Sequence, residues 1–151
     1  MSASPSVVVD AGLMIALLDS DDAHHDWAVR VLADLGPGRA GITALTLAEA
    51  LVHPAMAGRA DRALGAIRRL GVDILPLTED DALSLAELRA ASGLRMPDAV
   101  VLHAASGRSA ALATTDRAVA RAAKRAGSRV YAPFPVAAEG EAAYSKTSAR
   151  S

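Results

Sequence analysis

Short runs of β-branched or apolar residues alternate along the chain with longer segments whose apolar positions recur at helical spacing. Val7 to Val9 reads as a buried strand, with a helix from Leu13 to Leu18 behind it. Ser20 to Asp22 offers capping residues for a second helix, Ala23 to Leu35, which stops at Gly36-Pro37-Gly38. Gly41 to Thr43 is a weak second strand, and the helix after it, Leu45 to Val52, is expected to stop near Pro54. A helix from Arg59 to Leu70 ends at Gly71, which suits a left-handed C-terminal cap. Asp73 to Leu77 is a third strand, Glu79 to Ala91 and Pro97 to Ser106 are helices, and Ala110 to Thr114 is a fourth strand. Arg117 to Ala126 is a helix ending at Gly127, and Val130 to Tyr131 a short fifth strand. This alternation predicts an α/β fold: a mainly parallel sheet with right-handed crossovers and helices on both faces.

The 151 residues suit one domain, and a chain of that size buries roughly 68–70% of its unfolded surface, so it needs no staple. Residues 137–151 (AAEGEAAYSKTSARS) follow Pro133-Phe134-Pro135 and lack large apolar side chains. They are expected to form a flexible tail, leaving 1–136 as the folded unit. Hydrophobic residues make up 52% of the chain but aromatics only 3%, so Leu, Val, Ile and Ala must build the core, and a base-stacking aromatic platform is not expected. The absence of cysteine excludes thiol catalysis and Cys-ligated zinc or iron–sulfur sites, and fits a reducing cytoplasm. Met1 to Val9 does not read as a signal peptide and no apolar run is long enough to span a membrane, so a soluble, cytoplasmic protein without a membrane partner is expected. The formal charge of −1 gives no bulk attraction to nucleic acid, so such a partner has to be argued locally.

Ligands of open α/β sheets bind beyond the carboxyl ends of the strands, and four acids are predicted at or near that edge. Asp10 follows the first strand and Asp116 the fourth, while Glu49 and Asp98 lie near the starts of helices. Each has an ordinary structural explanation. Thr46-Leu47-Ala48-Glu49 matches a capping box, Asp116 could cap the next helix, and Asp98 sits behind Pro97, where a carboxylate meets the positive helix end. Asp10 could be a turn residue. Convergence of all four is harder to explain by capping, because ionised carboxylates in one place repel one another. A divalent cation removes that repulsion, and an oxygen-only ligand set favours Mg²⁺ or Mn²⁺ over Zn²⁺. Such a site suits hydrolysis of a phosphodiester.

These residues resemble a known family. Val7-Val8-Val9-Asp10-Ala11-Gly12, Thr46-Leu47-Ala48-Glu49, Met96-Pro97-Asp98-Ala99 and Leu112-Ala113-Thr114-Thr115-Asp116-Arg117 are similar, in order and spacing, to the successive acidic motifs of PIN-domain ribonucleases. Among these the VapC toxins of bacterial toxin–antitoxin pairs are the nearest type. The resemblance spans about Val7 to Val136, and Asp21-Asp22-Ala23-His24-His25 fits the family's second helical segment. At Gly12 many members carry a hydroxyl or amide residue and others glycine. The resemblance implies a three-layer α/β/α sandwich with strand order 3-2-1-4-5, in which Asp10 and Asp116 meet at the topological switch point. It also implies that Asp10, Glu49, Asp98 and Asp116 hold one or two Mg²⁺ or Mn²⁺ ions for RNA cleavage. Thr114 would orient a carboxylate or a coordinated water. Implied partners are an RNA substrate, a small antitoxin that covers the acidic groove, and a second copy of the chain in a homodimer.

Of the basic residues, Arg59, Arg62, Arg68 and Arg69 share one helix, and Arg117, Arg121, Lys124 and Arg125 another. The second set forms a stripe that either holds phosphates or is simply a solvated face. His24, His25, His53 and His103 form no zinc motif and are expected to pack or lie at the surface; Trp27 is expected on a packed helix face. A two-component receiver domain would need a phosphoacceptor Asp after the third strand and a Lys after the fifth, where this chain has Leu75-Pro76-Leu77-Thr78 and Ala132-Pro133-Phe134. Asp10-Ala11-Gly12 opens no Gly-rich dinucleotide loop. The serious alternative is a PIN-like module that binds RNA or protein without cutting.

Overall fold

The computed structural model describes residues 4–136, so the tail expected at 137–151 lies outside the described residues. Five strands form one parallel sheet in the order β3-β2-β1-β4-β5: β1 Val7–Val9, β2 Ala40–Thr43, β3 Asp73–Leu75, β4 Ala111–Ala113 and β5 Val130–Tyr131. The helices are α1 Ala11–Leu18, α2 His25–Leu35, α3 Ala44–Met56, α4 Ala60–Arg69, α5 Glu79–Ser92, α6 Met96–Gly107 and α7 Arg117–Arg125.

Successive strand residues point to opposite faces, and the core divides accordingly. Val7 and Val9 pack with Leu13, Met14, Ala28, Ile42 and Ile67 under α1 to α4. Val8 and Leu112 pack with Val101, Leu102, Val119 and Ala123 under α6 and α7. Both faces being covered explains why β1 is an unbroken apolar run rather than an alternating one. Each such Val or Leu contributes about 1.5–3 kcal/mol on full burial. Three layers and the expected strand order are therefore present.

Several local expectations are corrected. Helix α1 begins at Ala11, not Leu13, because Asp10 caps it: its Oδ1 accepts from the Leu13 amide at 2.7 Å. Ser20 to Asp22 do not cap α2; Asp19 and Asp22 accept from the Asp21 and His24 amides and build the turn before it. Thr46 is not a cap. Thr43 is, accepting from the Thr46 amide at 3.1 Å and sharing a 2.7 Å hydrogen bond with the Thr46 hydroxyl. Helix α3 also runs through Pro54 to Met56, since a proline that close to the helix end removes only one rung. A capping box does exist, at α5, where Asp81 Oδ2 accepts from the Thr78 amide at 2.9 Å. Strand β3 stops at Leu75, before Pro76, which has no amide to pair. Gly71 and Gly127 follow α4 and α7 with φ of +72° and +83°, the left-handed conformation their positions predict.

Candidate active site

Strands β1 and β4 are neighbours, and their last paired residues are Val9 and Ala113. Asp10 continues that register, donating its amide to the Ala113 carbonyl at 3.0 Å, while the Thr114 amide reaches Tyr131 O at 3.0 Å. Asp10 and Thr114 therefore leave the sheet side by side, between strands whose chains depart in opposite directions. This is the crevice where α/β sheets bind ligands.

Asp10 is 7% exposed and held from three sides. Besides capping α1, its Oδ2 accepts from the Thr114 hydroxyl and from the Thr115 amide at 3.1 Å. The Thr114 hydroxyl in turn accepts from the Asp116 amide at 2.9 Å, so a single oxygen ties Asp10 to the β4–α7 turn. Asp116 caps α7 as expected, accepting from the Val119 amide at 2.9 Å. Glu49 is different. It lies in the second turn of α3, exposed and beyond any capping position, so the capping explanation for it is lost. Asp98 is half-buried in the first turn of α6, with the exposed Arg95 guanidinium 3.6 Å away.

Charge shows that the four acids share one region. Burial pushes the Asp10 carboxyl above its ordinary range, against the pull of its three hydrogen bonds, and Asp116 adds to the rise. Glu49, exposed as a residue, is raised by partial desolvation of its carboxyl, then by Asp98 and, more weakly, Asp10, with Arg95 opposing. Asp98 is raised by burial and by Asp116, again against Arg95. Arg95 is the one cation among these influences, and it touches only the edge of the group. Among the described residues no three acids converge closely enough to enclose an ion as they stand. The donor chemistry still fits Mg²⁺ or Mn²⁺, which bind through one or two carboxylates and keep several waters.

Since Glu49 caps nothing and is exposed, Glu49→Gln is expected to leave the thermal midpoint unchanged or slightly higher at neutral pH, as followed by circular dichroism. A fall of several degrees would mean that Glu49 supports the fold.

A cleft of about 600 Å³ opens beside Glu49 between α1 and α3, lined by Ile15, Leu18, Asp19, His53, Pro54 and Arg59 among others. His53 and Arg59 thus stand near the acids. Of the other histidines, two are structural: His25 Nδ1 bonds Ala16 O at 2.8 Å, tying α2 to α1, and His103 Nε2 bonds Asp81 Oδ1 at 2.9 Å, tying α6 to α5, while His24 sits at the start of α2 without a side-chain cap. Trp27 packs partly buried on the core, as expected. On α7 the Val119, Ala120, Ala122 and Ala123 face is buried, and Arg117, Arg121, Lys124 and Arg125 are exposed. Arg117 lies over the Phe134 ring at 4.2 Å, and Lys124 Nζ donates to Val136 O at 2.7 Å. Among the described residues no helix is long and apolar enough to cross a membrane.

No curated protein matches the chain. Solved structures do. A toxin–antitoxin complex from Klebsiella pneumoniae aligns at 24% identity and TM-score 0.63, covering 74% of this chain and 87% of the other. Mycobacterium tuberculosis VapC20, described as a sarcin–ricin loop cleaving toxin, aligns at 21% identity and TM-score 0.60, over 72% and 87%. FitAcB from Neisseria gonorrhoeae aligns at 19% identity and TM-score 0.65, over 83% and 96%. These likenesses establish the fold. The PIN domain family model matches residues 7–125, a stretch that begins at β1, ends with α7 and contains all four acids, and the chain therefore belongs to the PIN domain family.

Proposed function

We propose that this chain is a Mg²⁺- or Mn²⁺-dependent endoribonuclease and the toxin of a VapC-type toxin–antitoxin pair. What supports the reading is the placement of Asp10, Glu49, Asp98 and Asp116 around the switch point of the sheet, within electrostatic reach of one another, with Arg95 the one opposing cation among the described residues. Family membership supports it, as do the described roles of the Klebsiella and mycobacterial proteins.

Asp10, Asp98 and Asp116 would hold the ion, with Glu49 reaching it directly or through water. Bound there, the ion would polarise the phosphodiester and lower the pKa of a water nucleophile. Asp10 is pre-positioned for this, because its three hydrogen bonds fix both oxygens and leave lone-pair capacity unused. Thr114 acts through Asp10: its hydroxyl spends its proton on Oδ2 and its acceptor capacity on the Asp116 amide, setting the spacing of the two acids. The exposed arginines of α4 and α7 would carry the flanking RNA phosphates, and the cleft beside Glu49 would receive an antitoxin segment.

Sequencing RNA ends after induction tests the reading. Wild type is expected to generate discrete new 5′ ends that are absent with Glu49→Gln, and identical end profiles would refute it. No new ends, with RNA still bound by the purified protein, would favour the non-cutting module.

The raised carboxyls add a pH prediction. A group whose pKa is higher in the folded state contributes stability below its unfolded pKa and loses it as pH rises through the folded value. Ionisation of Asp10, Glu49 and Asp98 therefore weakens the metal-free protein at neutral pH relative to acid pH, and an ion binding them should stabilise it there. Adding Mn²⁺ is expected to raise the melting temperature at pH about 7 and hardly at all at about pH 4, near the ordinary carboxyl range. An equal rise at both would place the ion elsewhere.

A further inference from the structure

One hydroxyl in the crevice has no use in the fold. Thr115 is half-buried between Thr114 and Asp116; its amide is spent on Asp10 Oδ2, but its Oγ1 finds no hydrogen-bond partner among the described residues. That oxygen stands over α1. A Cβ added at Gly12 would meet it at 2.0 Å and would lie 3.3 Å from Thr115 Cβ and 3.5 Å from Asp10 Oδ1. Gly12 thus lacks a side chain where the Thr115 hydroxyl enters, right beside the acid that anchors the site.

The other side chains of the cluster are carboxylates, which when ionised only accept, and Thr114, whose proton is already committed; the one nearby cation, Arg95, is exposed and paired with Asp98 at the edge of the group. Thr115 Oγ1 is a neutral donor with its proton free, and what such a donor complements is an anionic oxygen brought into the site. Resting on the ribonuclease reading above, we propose that Thr115 is a substrate-binding residue. Its hydroxyl donates to a non-bridging oxygen of the RNA phosphate, and Gly12 is glycine to make room for it.

The test uses the full chain and single-stranded RNA oligonucleotides. Thr115→Val keeps the branched shape and removes the hydroxyl. It is expected to melt like wild type, to lower kcat/KM, and, in an Asp98→Asn background with Mg²⁺ present, to weaken RNA binding. Each loss should be roughly tenfold or more, as for a hydrogen bond to a charged group. Thr115→Ser should retain both properties. Gly12→Ser with Thr115→Ala puts a Cβ 2.0 Å from where the Thr115 oxygen stood, brings a hydroxyl into the same space from the facing backbone and should restore most of the loss that Thr115→Ala alone produces. A packing role would not be rescued in that way. Wild-type binding and cleavage by Thr115→Val would overturn the inference while leaving the nuclease reading intact. If the wild type binds RNA without cutting and Thr115→Val weakens that binding, the nuclease reading fails and the Thr115 contact stands. If the wild type binds no RNA, both are overturned.

Discussion

Asp98→Asn is expected to fold, to melt at or slightly above the wild-type temperature at neutral pH, and to lose metal-dependent RNA cleavage by roughly a hundredfold or more. The two halves have one cause. Asp98 is half-buried, its carboxyl is raised by burial and by Asp116, and its single ion pair is to an exposed arginine 3.6 Å away. A pair so open to water contributes little. Replacing the charge with an isosteric amide therefore removes a repulsion without removing a support. What disappears is an anionic oxygen for the cation, so activity and stability move in opposite directions. That combination distinguishes a ligand from a helix-start carboxylate kept for capping, since removing a cap costs about 1 kcal/mol and would lower the melting point. A variant of Asp98→Asn with full activity would eliminate this residue from the site.

Asp10→Ala is expected to destroy activity and to destabilise the fold by about 3 kcal/mol or more, because it removes one helix cap and strands buried donors that each cost about 1–3 kcal/mol when left unpaired. The stranded donors are the Leu13 amide, the Thr114 hydroxyl and the Thr115 amide. Asp10→Asn should fall between, because its remaining carbonyl oxygen can accept from the Leu13 amide or from the Thr114 and Thr115 pair, not both. Urea denaturation of the three proteins measures this ordering. Equal stability of wild type and Asp10→Ala would show that the network at the end of β1 does not hold α1 and the β4–α7 turn together.

Asp10 reads from the sequence as a possible turn residue, and it is the cap of α1. Glu49 was expected to belong to a capping box, and it caps nothing, because α3 starts three residues before the Thr-x-x-Glu pattern implies and Thr43 takes the cap. Such errors follow from the reach of local pattern. A Thr followed by a Glu three residues on satisfies the rule wherever it falls, whereas the true start of α3 is set by where β2 leaves the sheet. Both core faces were accessible because Val7 to Val9 and Leu112 are apolar whichever way they point and alternation with helices implies a mainly parallel sheet, whereas the order 3-2-1-4-5 followed from the resemblance to PIN-domain ribonucleases. Thr115 was not singled out. Its proximity to Gly12 joins residues that are far apart in sequence, and only the β1–β4 pairing brings them together.

The central claim is that the acids at the end of β1 and β4 act on RNA through a divalent cation. A titration of the purified, metal-stripped protein with Mn²⁺, reading cleavage of an end-labelled RNA at each step, tests it most directly. The account predicts no cleavage without metal, cleavage that rises and saturates with Mn²⁺ and is abolished again by chelation, and no rise at any concentration in Asp98→Asn. Cleavage by the metal-stripped protein, or an identical titration curve in Asp98→Asn, would contradict it.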